Sequence, residues 1–134
     1  MDTLSQQRVF IVDDDHFCRE MYSNHLATLG ITKVHSFNNG EDCIDNMFLN
    51  PNIIFVDYDM DALNGIEVIG MVKTTNPDTH IILVSAQRDI DVVVKALKKG
   101  AFYYINKNDK PLEKMSSVLS ELSKLISNKT VHQA

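Results

Sequence analysis

The stretch NIIFVDYDMDALNGIEVIGMVKTT, Asn52 to Thr75, changes its hydrophobic period halfway along. Its opening run, NIIFV, is short, β-branched and aromatic, with no polar alternation. That is the pattern of a strand covered on both faces. From Gly65 onward, Ile66, Ile69 and Val72 recur at helical spacing, which predicts a helix over Gly65–Thr75. Between the two lie aspartates at every second position: Asp57, Asp59 and Asp61. A buried strand that ends in a carboxylate and hands over to a helix places that carboxylate on the rim of a sheet.

The same alternation runs outward in both directions. RVFIV (Arg8–Val12) reads as a first strand, followed by one apolar helical face made of Cys18, Met21, Tyr22, His25, Leu26 and Leu29, with Gly30 as its stop. A second strand covers Thr32–Phe37, and NNGEDCIDNMFLN (38–50) is a modest helix ended by Pro51. Downstream, His80–Ala86 is a fourth strand. DIDVVVKALKKG (89–100) is a helix with Ile90, Val93, Val94 and Leu97 inward and Gly100 as its stop. Phe102–Ile105 is a fifth strand, and Leu112, Met115, Val118, Leu119, Leu122, Leu125 and Ile126 line a last helix. Parallel strands need helical crossovers, so five strand–helix units define an α/β doubly wound parallel sheet. Residues 1–7 read as a flexible lead, 8–127 as one domain and 128–134 as a tail.

Bulk properties narrow the function. The chain has 134 residues, 44% hydrophobic and 23% charged, enough for one substantial core. A net charge of -5 argues against a nucleic-acid surface, which needs clustered Lys and Arg. Cys18 and Cys43 have no metal-type spacing, sit on helical apolar faces and suit a reducing, cytoplasmic setting. No apolar run is long enough to span a membrane, and the polar N-terminus MDTLSQQ has no signal-peptide core.

In a doubly wound sheet, ligands bind beyond the carboxyl ends of the strands, where the strand order reverses. Strand one ends in Asp13, Asp14 and Asp15, strand three in Asp57, strand four in Ser85 and Ala86, and strand five near Lys107. An acid cluster, a hydroxyl and an ammonium therefore converge on one rim. Crowded carboxylates call for a divalent cation, and oxygen ligands suit Mg²⁺. A metal, a lysine and a hydroxyl around one carboxylate can neutralise the oxygens of a phosphoryl group, and that carboxylate can be the nucleophile.

These residues resemble the receiver domain of two-component response regulators over about Arg8 to Ile126. IVDDD resembles the family's acidic pair, here Asp13 and Asp14, and FVDYDM resembles its phosphoacceptor stretch. Asn64-Gly65 resembles the pair that opens the third helix. VSA resembles the switch hydroxyl and its alanine, and KKGAFYYINK resembles the Gly-Ala, aromatic and lysine that follow. The resemblance implies a flavodoxin-like sheet of order 2-1-3-4-5 with five helices. It implies Asp57 as acceptor of a phosphoryl group from a partner's phosphohistidine. Asp14, Asp57 and the backbone carbonyl of Asp59 would ligate Mg²⁺ (or Mn²⁺), with Asp13 holding metal-bound water. Lys107 and Ser85 would bond phosphoryl oxygens, Tyr104 would move with Ser85, and Asp59 and Gln87 would tune dephosphorylation. The implied partners are a sensor histidine kinase or phosphotransfer protein, and a downstream protein met through helix four, strand five and helix five. No nucleic acid or membrane is expected, and the chain is expected to be a switch and not an enzyme.

The sequence also departs from that pattern. Asp61 and Asn108 stand where the family keeps proline, the latter after a cis peptide. A cis bond before a non-proline residue costs roughly 2.5–4 kcal/mol, so a trans Lys107–Asn108 bond is the alternative. Tyr103 replaces an acid of the subgroup that dimerises through this face, so that dimer is not expected. Two other functions compete. One is a pseudo-receiver that binds partners unphosphorylated. The other is a haloacid-dehalogenase-type phosphohydrolase, in which Asp57 and Asp59 form its Asp-x-Asp pair; the acid cluster ahead of that pair argues against it. Asp15 reads as the cap of helix one, and His25 as a packed core residue.

Overall fold

The computed structural model describes residues 4–86 and 89–133, with side chains as far as residue 127. Five strands form one parallel sheet: β1 (Arg8–Val12), β2 (Lys33–Phe37), β3 (Ile53–Asp57), β4 (His80–Ser85) and β5 (Tyr103–Asn106), in the order β2-β1-β3-β4-β5. The helices are α1 (His16–Thr28), α2 (Gly40–Asp45), α3 (Gly65–Thr75), α4 (Ile90–Lys99) and α5 (Pro111–Gln133).

Alternate residues of each strand point to opposite faces, and both faces are covered. Val9, Ile11, Phe55, Ile82, Val84 and Ile105 pack under α1 and α5, against Tyr22, Leu26, Met115, Leu119 and Leu122. Phe10, Val12, Ile54, Val56, Ile81 and Leu83 pack under α2, α3 and α4, against Cys43, Val68, Ile69, Val72 and Ala96. This is why the strands read as unbroken apolar runs. All five residues of β3 are buried, including the carboxylate of Asp57 at its end.

Three expectations change. The predicted helix over 38–50 is two pieces, α2 and a 3-10 turn at Met47–Leu49. Asn46 divides them by turning its side-chain amide back onto the Asp42 carbonyl at 2.7 Å. In α4 the inward residues are Val92 and Ala96; Ile90, Val94 and Leu97 are exposed at 69%, 40% and 48%. Val93 is half-buried between them; the i,i+4 pair with the small Ala96 is the one that sits against the sheet. Leu125 is exposed too, whereas Met115, Val118, Leu119 and Leu122 are buried as expected. At the chain ends, Leu4–Gln6 form a 3-10 turn with Leu4 against the core, and α5 runs on to Gln133.

Candidate functional site

β1 and β3 are neighbours, and the chain leaves β1 for β2 on one side before returning to β3 on the other. Their carboxyl ends mark the reversal point of the sheet. Asp13 follows β1 with its N–H donated to Phe37 O at 3.0 Å, and Asp57 closes β3. Both carboxylates are nearly inaccessible, at 1% and 4% exposure, while Asp14 beside them is exposed. Oxygens of Asp13, Asp14 and Asp57 all lie within 4.8 Å of one another.

The loops that present these groups are held by hydrogen bonds from polar side chains. Asp15 caps α1 by accepting from the N–H of Phe17 and Cys18, as expected; those bonds, Cys18's first, hold its pKa below the usual value although burial acts the other way. Asp13 Oδ1 accepts from the N–H of Asp15 at 2.9 Å. Arg19 donates to the Asp13 carbonyl at 2.7 Å, fixing the peptide that joins Asp13 to Asp14. Across the site, Gly65 N donates to Tyr58 O at 3.0 Å and closes the loop after Asp57. Asn64 and Glu67 form a reciprocal capping box at the start of α3. Gly65 is required there: a Cβ would fall 2.5 Å from the Asp57 carbonyl oxygen and 2.7 Å from Leu83 Cδ1.

Lys107 follows β5 and reaches back across two strands. Its Nζ is 2.8 Å from Asp13 Oδ2 and 3.2 Å from Asp57 Oδ1. Burial works against its charge, but the Asp13 hydrogen bond and the Asp57 carboxylate outweigh it and raise its pKa. Asp57 moves in the unfavourable sense. Burial first, then the Asp13 charge, push it up to about 7, and Lys107 only partly offsets this. One ammonium thus serves two buried carboxylates, with a third acid at the rim. A hard cation bound by oxygens relieves that repulsion, so this donor set fits Mg²⁺. The rim opens on a cleft of about 460 Å³ lined by Asp14, Tyr58, Asp59, Met60, Asp61 and Asn64.

The family model for the response regulator receiver domain matches residues 9–118. The chain is 31% identical over 119 residues to the chemotaxis protein CheY of Thermotoga maritima, covering 88% of this chain and 98% of that one. The chain belongs to the response regulator receiver domain family. It is also 31% identical to the regulatory protein AtoC of Escherichia coli over 75% of this chain, but spans only 22% of AtoC. Among solved structures, the BeF3-activated receiver domain of DrrB, from Thermotoga maritima, matches with a TM-score of 0.73 and 30% identity, covering 87% of this chain and 97% of that one. Receiver domains act in two-component signalling and bind Mg²⁺ at an aspartate cluster, which Asp13, Asp14 and Asp57 supply here.

The other expected residues of this receiver domain take the following places. Ser85 ends β4, fully buried, beside Asn106 of β5. Tyr104 lies on β5 opposite Leu83, half-buried against the α3–α4 side of the core. Asp59 lies exposed in the cleft. Gln87 falls outside the described residues. The Lys107–Asn108 bond is trans, as are all described peptide bonds, and the lysine still reaches both acids. Ala62, in the loop beside Asp61, adopts the left-handed region at φ 62°. His25 is half-buried with its Nε2 2.8 Å from Ser116 Oγ, joining α1 to α5. Reading the sequence missed Arg19. A base one turn along a helix from an acidic loop was its only signal.

Proposed function

We propose that this receiver domain is a switch controlled by phosphorylation of Asp57. The observation that carries this reading is the Lys107 ammonium, held at 2.8 Å and 3.2 Å from two buried carboxylates at the reversal point of the sheet. A carboxylate oxygen of Asp57 attacks the phosphorus of a partner's phosphohistidine. The P–O bond forms, the P–N bond breaks, and its electron pair stays on the imidazole nitrogen, giving an aspartyl phosphate. Asp14, Asp57 and the Asp59 carbonyl would hold Mg²⁺ (or Mn²⁺), with Asp13 holding its water, and the ion would neutralise charge on the phosphoryl oxygens. Lys107 binds one phosphoryl oxygen and Ser85 another.

Phosphorylation then shifts the balance between two arrangements, with Ser85 and Tyr104 turning together. A downstream protein reads the change on α4, β5 and α5. That surface is supported by exposed Ile90, Val94, Leu97 and Tyr103. The phosphoryl donor is a sensor histidine kinase or a phosphotransfer protein. Asp59, exposed in the cleft, and Gln87, two residues after Ser85 in the sequence, set how long the phosphoryl group lasts. No described helix is long and apolar enough to cross a membrane, and the reading places the chain in the cytoplasm.

Incubation with acetyl phosphate and Mg²⁺, followed by intact-mass measurement, tests it. The expected result is one phosphoryl group gained, abolished by EDTA and absent in Asp57→Asn. No gain on the wild-type chain overturns the reading and leaves an unphosphorylated binding module.

A further inference from the structure

Lys107 carries the proposed site, yet the segment that presents it, Asn106–Lys110, contains neither proline nor glycine. Something other than residue stiffness must set its course. Asn106 is the last residue of β5, paired with Ser85 of β4. Its side-chain Oδ1 accepts from the N–H of Asn108 at 2.8 Å, and its backbone carbonyl accepts from the N–H of Asp109 at 3.1 Å. The two bonds fold the chain into an Asx turn nested in a β-turn, with Lys107 at its first corner. Lys107 N donates to Ser85 O at 2.9 Å, so the corner is anchored to β4 on its other side. The peptide on each side of Lys107 is thereby fixed, and its side chain leaves the turn toward Asp13 and Asp57.

We propose that Asn106 is a positioning residue, whose side chain aims the Lys107 ammonium at the paired carboxylates. The inference rests on the proposed role of Lys107. Asn106 touches no reacting atom and acts through the lysine. Its Oδ1 bonds the backbone of this turn directly, at the N–H of Asn108. An aspartate at 106 retains the acceptor; an alanine removes it and returns the turn to backbone bonds alone.

Two readouts test this on Asn106→Ala, Asn106→Asp, Lys107→Ala and the double variant Asn106→Ala/Lys107→Ala. The first is the labelling rate of the Lys107 amine by an acylating reagent, read by peptide mass, which does not depend on phosphorylation. The second is the rate of phosphoryl gain from acetyl phosphate with Mg²⁺. Asn106→Ala is expected to label several-fold faster and to slow phosphoryl gain about tenfold, since misaimed groups lose rate steeply. Asn106→Asp is expected to restore both. In the Lys107→Ala background, removing Asn106 should cost nothing further, because the two act as one unit. Unchanged labelling in Asn106→Ala, or an added loss of equal size without the lysine, overturns the inference. Faster labelling with no phosphoryl gain on the wild-type chain supports the positioning claim and overturns the switch reading instead.

Discussion

Asp57 is where the chemistry and the stability of this receiver domain pull apart. Its pKa is near 3.8 in the unfolded chain and is raised to about 7 in the fold by burial and by Asp13. Between those values the fold keeps a proton that the unfolded chain has lost. The stabilisation is therefore fully present below the lower value and is lost as pH rises through about 7. From pH 6 to pH 8, in EDTA, this group alone should lower the unfolding free energy by about 1.4 kcal/mol. Asp57→Asn should remove that dependence and make the metal-free protein more stable at pH 8 by about 1–3 kcal/mol. Urea unfolding of both proteins at the two pH values checks this, since groups common to both cancel in the difference. Ala62 offers a second check at this scale. Its left-handed φ of 62° suits glycine, so Ala62→Gly should raise stability by about 0.5–1 kcal/mol in the same assay.

At the scale of elements, the start of α3 is seated against the end of β3 with no room to spare. Asn64 and Glu67 cap the helix, and Gly65 lets its backbone rest on the Asp57 carbonyl. Gly65→Ala would place a methyl 2.5 Å from that oxygen and 3.0 Å from Tyr58 Cα, both backbone atoms that cannot step aside. The variant should lose about 2–3 kcal/mol of stability and also phosphorylate more slowly, because the loop around Asp57 must shift. Asn64→Ala should cost only about 1 kcal/mol, as a lost cap does. Thermal unfolding together with the acetyl phosphate assay separates the two.

Element boundaries also show what a sequence can carry. α3 was legible to the residue, because its apolar spacing, its Asn-Gly start and its flanking loop all agree. α4 was legible as a helix but not in its facing. Ile90, Val94 and Leu97 outweigh Val92 and Ala96 in hydrophobicity, yet the smaller row fits against the sheet and leaves the larger one exposed. Periodicity reports that a face exists, and packing volume decides which face is used.

On the scale of the whole molecule, the strand order gathers residues far apart in the chain. Asp13, Asp57 and Lys107 meet because β1, β3 and β5 end on one rim. Residue types at strand ends made that gathering legible before the structure. The Asx turn at Asn106 and the Arg19 bond to the Asp13 carbonyl were not legible, because each depends on where a polar side chain turns within a loop. The gathered acids make a molecule-wide prediction about metal. At about ten times its dissociation constant, Mg²⁺ should raise the unfolding free energy by about 1.4 kcal/mol. The gain should be larger at pH 8 than at pH 6, because the proton on Asp57 competes with the cation. Asp14→Asn should reduce it. Thermal shift with and without Mg²⁺ at both pH values measures this.

The central claim is that Asp57, and none of the acids around it, receives the phosphoryl group. Its most direct test is to treat the Mg²⁺–acetyl phosphate product with borohydride, which reduces an acyl phosphate to an alcohol, and to map the peptides. The account predicts homoserine at position 57 and unmodified Asp13, Asp14, Asp59 and Asp61. Homoserine at any of those four, or at none of the aspartates, would contradict it.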